Sequence, residues 1–225
     1  MGPEISVLLE PYHAVYVEIP KVACTSLKAA FAPLLGVDLA PSGGDPHDVD
    51  FPAPPAISSD GDRLYPGLYT FSFVRNPWDR LVSCYRDKIA GDVDGFTTFT
   101  VRRGVADCLA GCEAFFADMA FEEFVAAVAS IPDAEADEHF RSQCTFLMTN
   151  EGNVGVDFVG RYETLSGDFG SVAERIGLPS DVELPRLQAA TRPIDYVDYY
   201  NAKTRKIVAD RFRDDIETFA YQFGS

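Results

Sequence analysis

Residues 15–31 read VYVEIPKVACTSLKAAF, a β-branched run that crosses Pro20-Lys21 into small and hydroxyl residues and then into helical spacing. Tyr16, Val17 and Ile19 carry strand propensity. Leu27, Phe31 and Leu34 recur along one helical face after Thr25-Ser26, two residues suited to capping a helix. A strand that turns directly into a helix exposes the unpaired N–H groups of a first helical turn at the positive end of its dipole, which together receive an anion. Lys21 adds a full charge beside them. The glycine pattern G-x-x-x-x-G-K-[ST] of nucleotide triphosphatases is missing, which argues against an ATP- or GTP-hydrolysing loop.

Residues 69–89, YTFSFVRNPWDRLVSCYRDKI, repeat the logic with different polar residues. Aromatic and β-branched residues from Tyr69 to Val74 predict a strand that stops at Arg75, with Asn76 as helix cap and Pro77 as first helical residue. Trp78, Leu81, Val82 and Tyr85 point inward. Arg75 at the strand end and Ser83 two turns into the helix offer a guanidinium fork and a hydroxyl to a phosphate.

The two segments together resemble the cofactor signatures of the PAPS-dependent sulfotransferases, in the membrane-associated carbohydrate branch that includes the chondroitin, HNK-1 and heparan 2-O-sulfotransferases. That family uses PKxxxTS and RNPxxRLxSxY. Pro20, Lys21, Thr25 and Ser26 match the first motif; Arg75, Asn76, Pro77, Arg80, Leu81, Ser83 and Tyr85 match the second. A third stretch, DFVGRYETLSGDF from Asp157 to Phe169, resembles a family block that follows a core strand.

The resemblance implies a P-loop-like α/β fold, a three-layer sandwich with a short central parallel sheet flanked by helices. It also implies transfer of a sulfuryl group from 3′-phosphoadenosine 5′-phosphosulfate (PAPS) to a hydroxyl, leaving PAP. The expected acceptor is a carbohydrate or glycoconjugate, either glycan or glycolipid. By the family's logic the N–H groups of Ala23, Cys24, Thr25 and Ser26 hold the 5′-phosphosulfate and Lys21 neutralises the departing oxygen. Arg75 and Ser83 take the 3′-phosphate. Arg192, in ATRPIDYVDYY, either closes over the cofactor or is an ordinary surface arginine. No metal is needed for this chemistry. A small-molecule kinase would require the missing glycines, and a catalytically silent nucleotide-binding module would keep Lys21, Arg75 and Ser83 with no histidine near the sulfur.

An alcohol needs a base, and the chain has three histidines. His47, in DPHDVD, resembles the proposed catalytic histidine of the heparan 2-O-sulfotransferase in its position between the motifs; the alternative is an exposed loop histidine. His139, in DEHFRSQCTFL, resembles the family's D-x-H-aromatic-x-x-Q block through Asp137, His139, Phe140 and Gln143; the alternative is a histidine that caps a turn. His13 has no motif behind it. Without a histidine base, Glu18 or Asp48 is the carboxylate to consider.

A chain of 225 residues, 47% hydrophobic, suits a single domain over residues 1–225. No apolar run reaches the roughly 18 residues of a membrane span, so the expectation is a cytoplasmic protein without a transmembrane segment. Thirty-five acidic against 19 basic residues give a net charge of −16, which makes nucleic acid a poor partner. This excess fits either a high-salt host or an ordinary acidic protein. Five cysteines with no CxxC pair point to thiols in a reducing compartment, and Cys108-x-x-x-Cys112 lacks a neighbouring histidine, so no metal site is expected.

Residues 33–67, rich in proline, glycine and aspartate, read as an excursion. Periodicity predicts a helix from Phe121 to Val128, a strand from Val156 to Val159, a helix from Thr164 to Ile176 stopped by Gly177 and Pro179, and a C-terminal amphipathic helix within 201–223.

Overall fold

The computed structural model describes residues 6–55, 61–90, 105–106, 108–185, 187 and 195–225. The chain forms two compact units, each assembled from separated stretches. The first comprises Met1–Val74 and Gln143–Leu187; the second comprises Arg75–Ser142 and Gln188–Ser225.

The first unit is built on a four-stranded sheet in the order β1 (Ser6–Leu9), β2 (Ala14–Val17), β3 (Tyr69–Val74), β4 (Phe158–Arg161). β2, β3 and β4 are parallel and β1 pairs antiparallel with β2. The expected short parallel sheet is therefore present, with an antiparallel edge added. His13 sits at that edge in a left-handed turn, φ 48°, between β1 and β2.

Helix α1 (Cys24–Phe31) follows β2, and α5 (Leu165–Ile176) follows β4. Their aromatic residues meet the sheet. Phe31 lies 5.7 Å from the ring of Tyr16, 6.2 Å from Phe71 and 6.2 Å from Phe169 of α5. Tyr16, Phe31 and Phe71 are fully buried, each contributing about 1.5–3 kcal/mol of apolar transfer. Phe73 lies directly opposite Gly160 in the ladder, and a Cβ on Gly160 would come within 2.5 Å of the phenyl ring. This close approach accounts for the glycine in DFVGRYE. Asp157 ties the same ladder together by accepting from the Thr70 N–H (2.8 Å) and hydroxyl (3.0 Å).

The strand predicted over 156–159 is displaced two residues along the chain, to Phe158–Arg161, with the Asp157 N–H leading into it by donating to the Thr70 carbonyl of β3 at 2.8 Å. A short helix, α4 (Cys144–Leu147), belongs to the same unit.

The second unit contains α2 (Pro77–Tyr85), α3 (Phe121–Ser130), α6 (Ala202–Arg211) and α7 (Arg213–Thr218) around an aromatic core. Asn76 caps α2 as the sequence predicts, accepting from the Trp78 N–H, and its amide donates to the Gln222 carbonyl at 2.8 Å. Trp78 Nε1 donates to the Arg205 carbonyl at 3.1 Å. The ring of Tyr85 stands 5.3 Å from that of Phe121. α2 runs on into a π-helical turn, Arg86–Ala90, a geometry often found at functional sites.

The single C-terminal helix predicted from periodicity is two helices, α6 and α7, broken at Phe212 (φ −111°, ψ 33°), whose ring is buried in the core. Among the described residues no helix is long and apolar enough to cross a membrane.

Candidate active site

The link between β2 and α1 runs through two left-handed residues that are not glycine: Lys21 at φ 69° and Ala23 at φ 55°. Each such residue costs roughly 1–2 kcal/mol. Alternating backbone handedness is what curls successive N–H groups into an anion-binding concavity. Ala23 is the N-cap of α1 and makes no side-chain cap bond; only its carbonyl takes part, accepting from Leu27 at 3.0 Å.

Thr25 and Ser26 are therefore not the cap that the sequence suggested. They lie inside the first turn of α1, both buried, and Ser26 Oγ accepts from the Leu187 N–H at 3.3 Å. The turn from Pro20 to Ser26 thus has an anion cradle's backbone, a positive helix end and an adjacent ammonium.

The long excursion returns His47 to this turn. Its Nε2 lies 3.0 Å from Thr25 Oγ1 and 3.6 Å from Cys24 Sγ. Its Nδ1 lies 3.8 Å from Glu18 Oε1, and its backbone N–H donates to the buried Asp45 carboxylate at 2.9 Å. The Nδ1 side faces a carboxylate, which favours the tautomer with its proton there and leaves the Nε2 lone pair to accept from the Thr25 hydroxyl.

Glu18 is 2% exposed and ion-paired with Lys28 Nζ at 3.4 Å. Burial pulls the His47 pKa below its ordinary value; Glu18 and Asp45 oppose this, while Lys28 and Lys21 reinforce it. The imidazole is consequently neutral, and able to take a proton, at neutral pH. Burial, with the Glu18 charge adding to it, pushes the Cys24 thiol up to about 11, so the thiol is protonated, and no nucleophile, at neutral pH.

In the second unit, Arg75 Nε donates to Asp79 Oδ2 at 2.7 Å and the side chain is 13% exposed. Ser83 is half-buried near the end of α2. Arg80, matched by the same motif, is buried and donates to the carbonyls of Arg141 (2.6 Å) and Glu138 (3.0 Å). Its role is to hold the chain around residues 138–141. That chain carries His139, whose Nδ1 lies 2.7 Å from Asp137 Oδ1. Burial opposes ionisation of Asp137, but hydrogen bonds and charge from His139 outweigh it and hold the carboxyl below its usual range. Arg192 lies outside the described residues.

The sequence reading did not foresee the Glu18–Lys28 pair. The available signal was two ionisable residues, one in the strand's continuation and one on the apolar face of the following helix.

Comparison with known proteins identifies the family of the chain. The sequence model of the sulfotransferase family matches residues 7–222, and the chain belongs to that family. Among curated proteins it is 28% identical over 206 residues to carbohydrate sulfotransferase 11 of Mus musculus, covering 83% of this chain and 56% of the relative. It is 31% identical over 190 residues to carbohydrate sulfotransferase 14 of Homo sapiens, covering 81% and 49%. It is 27% identical over 207 residues to carbohydrate sulfotransferase 14 of Danio rerio, covering 85% and 54%. The chain thus spans about half the length of these relatives. No solved structure matches it significantly.

Proposed function

We propose that this protein transfers a sulfuryl group from PAPS to a hydroxyl of a glycan or glycolipid, with His47 as the base. The observation that carries the reading is the 3.0 Å approach of His47 Nε2 to Thr25, a residue of the phosphate-binding turn itself. A base in that position lies beside the group that an acceptor oxygen must attack.

In this reading the N–H groups from Ala23 to Ser26 receive the 5′-phosphosulfate and Lys21 stabilises charge growing on the oxygen that departs. Arg75 and Ser83 receive the 3′-phosphate, with an incoming phosphate displacing Asp79 from the guanidinium. The acceptor oxygen attacks sulfur in line with the departing oxygen, and its proton passes to His47 Nε2, directly or through the Thr25 hydroxyl. Glu18 keeps the opposite ring nitrogen protonated and steadies the imidazolium that forms. His139, held by Asp137, takes no proton in this scheme.

The family match over residues 7–222 supports reading the chain as one sulfotransferase domain. Five free thiols support a reducing, cytoplasmic setting, and the net charge of −16 disfavours a nucleic acid acceptor. The test is a transfer assay with labelled PAPS against host glycan and lipid extracts, with mass spectrometry of the product, alongside thermal-shift titration with PAP and ADP. Labelled carbohydrate product and a larger shift with PAP are expected. Equal shifts with the two nucleotides, or no labelled product, refute the assignment.

A further inference from the structure

A cluster in the second unit is not used by the reaction above. Cys108 Sγ, an oxygen of Asp137 and a ring nitrogen of His139 lie within 4.8 Å of one another. Ligand atoms around a tetrahedral zinc ion sit about 3.3–3.8 Å apart, given bonds of about 2.0–2.3 Å, so small side-chain rotations bring all three into range. We propose that Cys108, Asp137 and His139 form a binding site for a thiophilic divalent cation of the zinc class, with water completing the coordination.

The cluster is held by backbone, which distinguishes it from a chance meeting of side chains. The Ala106 N–H donates to the Lys88 carbonyl of the π-helical turn at 2.9 Å, and the Ala106 carbonyl accepts from the N–H groups of Leu109 (2.9 Å) and Ala110 (3.0 Å), the residues that follow Cys108. On the other side, the N–H groups of Phe140 (3.1 Å) and Arg141 (2.9 Å) donate to the Asp137 carbonyl, and buried Arg80 holds the carbonyls of Glu138 and Arg141. Asp137 Oδ1 and His139 Nδ1 already face one another at 2.7 Å, so an ion seated between them and Cys108 takes the place of their hydrogen bond.

The charges also fit. A thiolate and a carboxylate balance a divalent cation, and the nearby ammonium of Lys88 is already paired with Asp87 at 3.0 Å. Cys108 is exposed, so an ion has access. Among the described residues the other group of similar donors, Glu18, Cys24 and His47, is a poorer cation site: Glu18 and Cys24 are buried and the Lys28 ammonium lies 3.4 Å from the carboxylate. In sequence, Cys108-x-x-x-Cys112 had no histidine beside it; the fold supplies one from the turn after α3.

The full chain, stripped with a chelator, is titrated with cobalt(II) and then zinc. One equivalent should bind, with a near-ultraviolet thiolate-to-cobalt band that zinc abolishes. Cys108→Ser should remove the band, His139→Ala and Asp137→Asn should weaken binding at least ~10-fold, and Cys24→Ser should leave it intact. If Cys108→Ser fails to fold, zinc protection of Cys108 against alkylation in the unaltered protein, read by peptide mass spectrometry, decides. No thiolate band, a band that survives Cys108→Ser, a band lost in Cys24→Ser, or unprotected Cys108 would each overturn the proposal.

Discussion

Replacing Glu18 by glutamine removes one charge from a pair that water barely reaches. Glu18 and Lys28 have side-chain exposures of 2% and 9% and approach to 3.4 Å. At an effective dielectric constant near 20 their attraction is about 5 kcal/mol, and breaking a buried pair by removing one partner typically costs about 3–5 kcal/mol. For a chain of this length about 2–4 °C of melting temperature corresponds to each kcal/mol, so Glu18→Gln should melt roughly 6–20 °C lower. Lys28→Met should behave similarly.

The double variant should recover most of the loss, since an apolar and amide pair leaves no uncompensated charge. Circular-dichroism melts of all four proteins, at low and high salt, provide the assay; a buried pair is little screened, so the losses should persist at 1 M KCl. Single variants that melt within about 3 °C of the parent, or losses that simply add in the double variant, would refute the argument. The same substitution has a kinetic signature. Glu18 raises the proton affinity of His47 against the lowering effect of burial; without it, the acid limb of the rate profile should move to lower pH.

In the parent, activity should rise with pH along a limb centred below the ordinary histidine value of about 6.5, because His47 works deprotonated. His47→Ala should lower transfer by roughly 100-fold or more with PAP binding nearly intact, and a normal rate would exclude it as base. Lys21→Ala should reduce turnover more than PAP affinity, whereas Arg75→Ala should mainly weaken binding; equal proportional losses in both would contradict the division of roles. Gly160→Ala should destabilise the sheet by about 1–3 kcal/mol, the usual cost of overpacking, and an unchanged urea midpoint would show that Phe73 moves aside freely.

The strand–turn–helix blocks were legible because hydrophobic period changes abruptly from two to between three and four at Pro20 and again at Asn76, and because Asn76-Pro77 is a local cap that needs no tertiary help. The cap of α1 was misread because Ala23 adopts a left-handed conformation that nothing in alanine's propensity suggests. The meeting of His47 with Thr25 depends on how the excursion at 33–67 folds back, through the Asp45 bond to the His47 N–H and the seating of Pro52 against β1. Those are tertiary facts. The break at Phe212 was hidden for a similar reason, since apolar spacing continues through it. The two-unit division left no mark in composition because the chain passes between the units three times without a proline- or glycine-rich linker at each crossing.

That repeated crossing bears on how the protein is made. β3 emerges from the ribosome early, but its parallel partner β4 follows only after Arg75–Ser142 has been synthesised. Until then one edge of β3, with its aromatic run, waits unpaired. Parallel pairing across so long an interval is slow to form and leaves strand edges open to misassociation. No cut at a single point isolates either unit whole, so fragments chosen as domains would each lack part of a core.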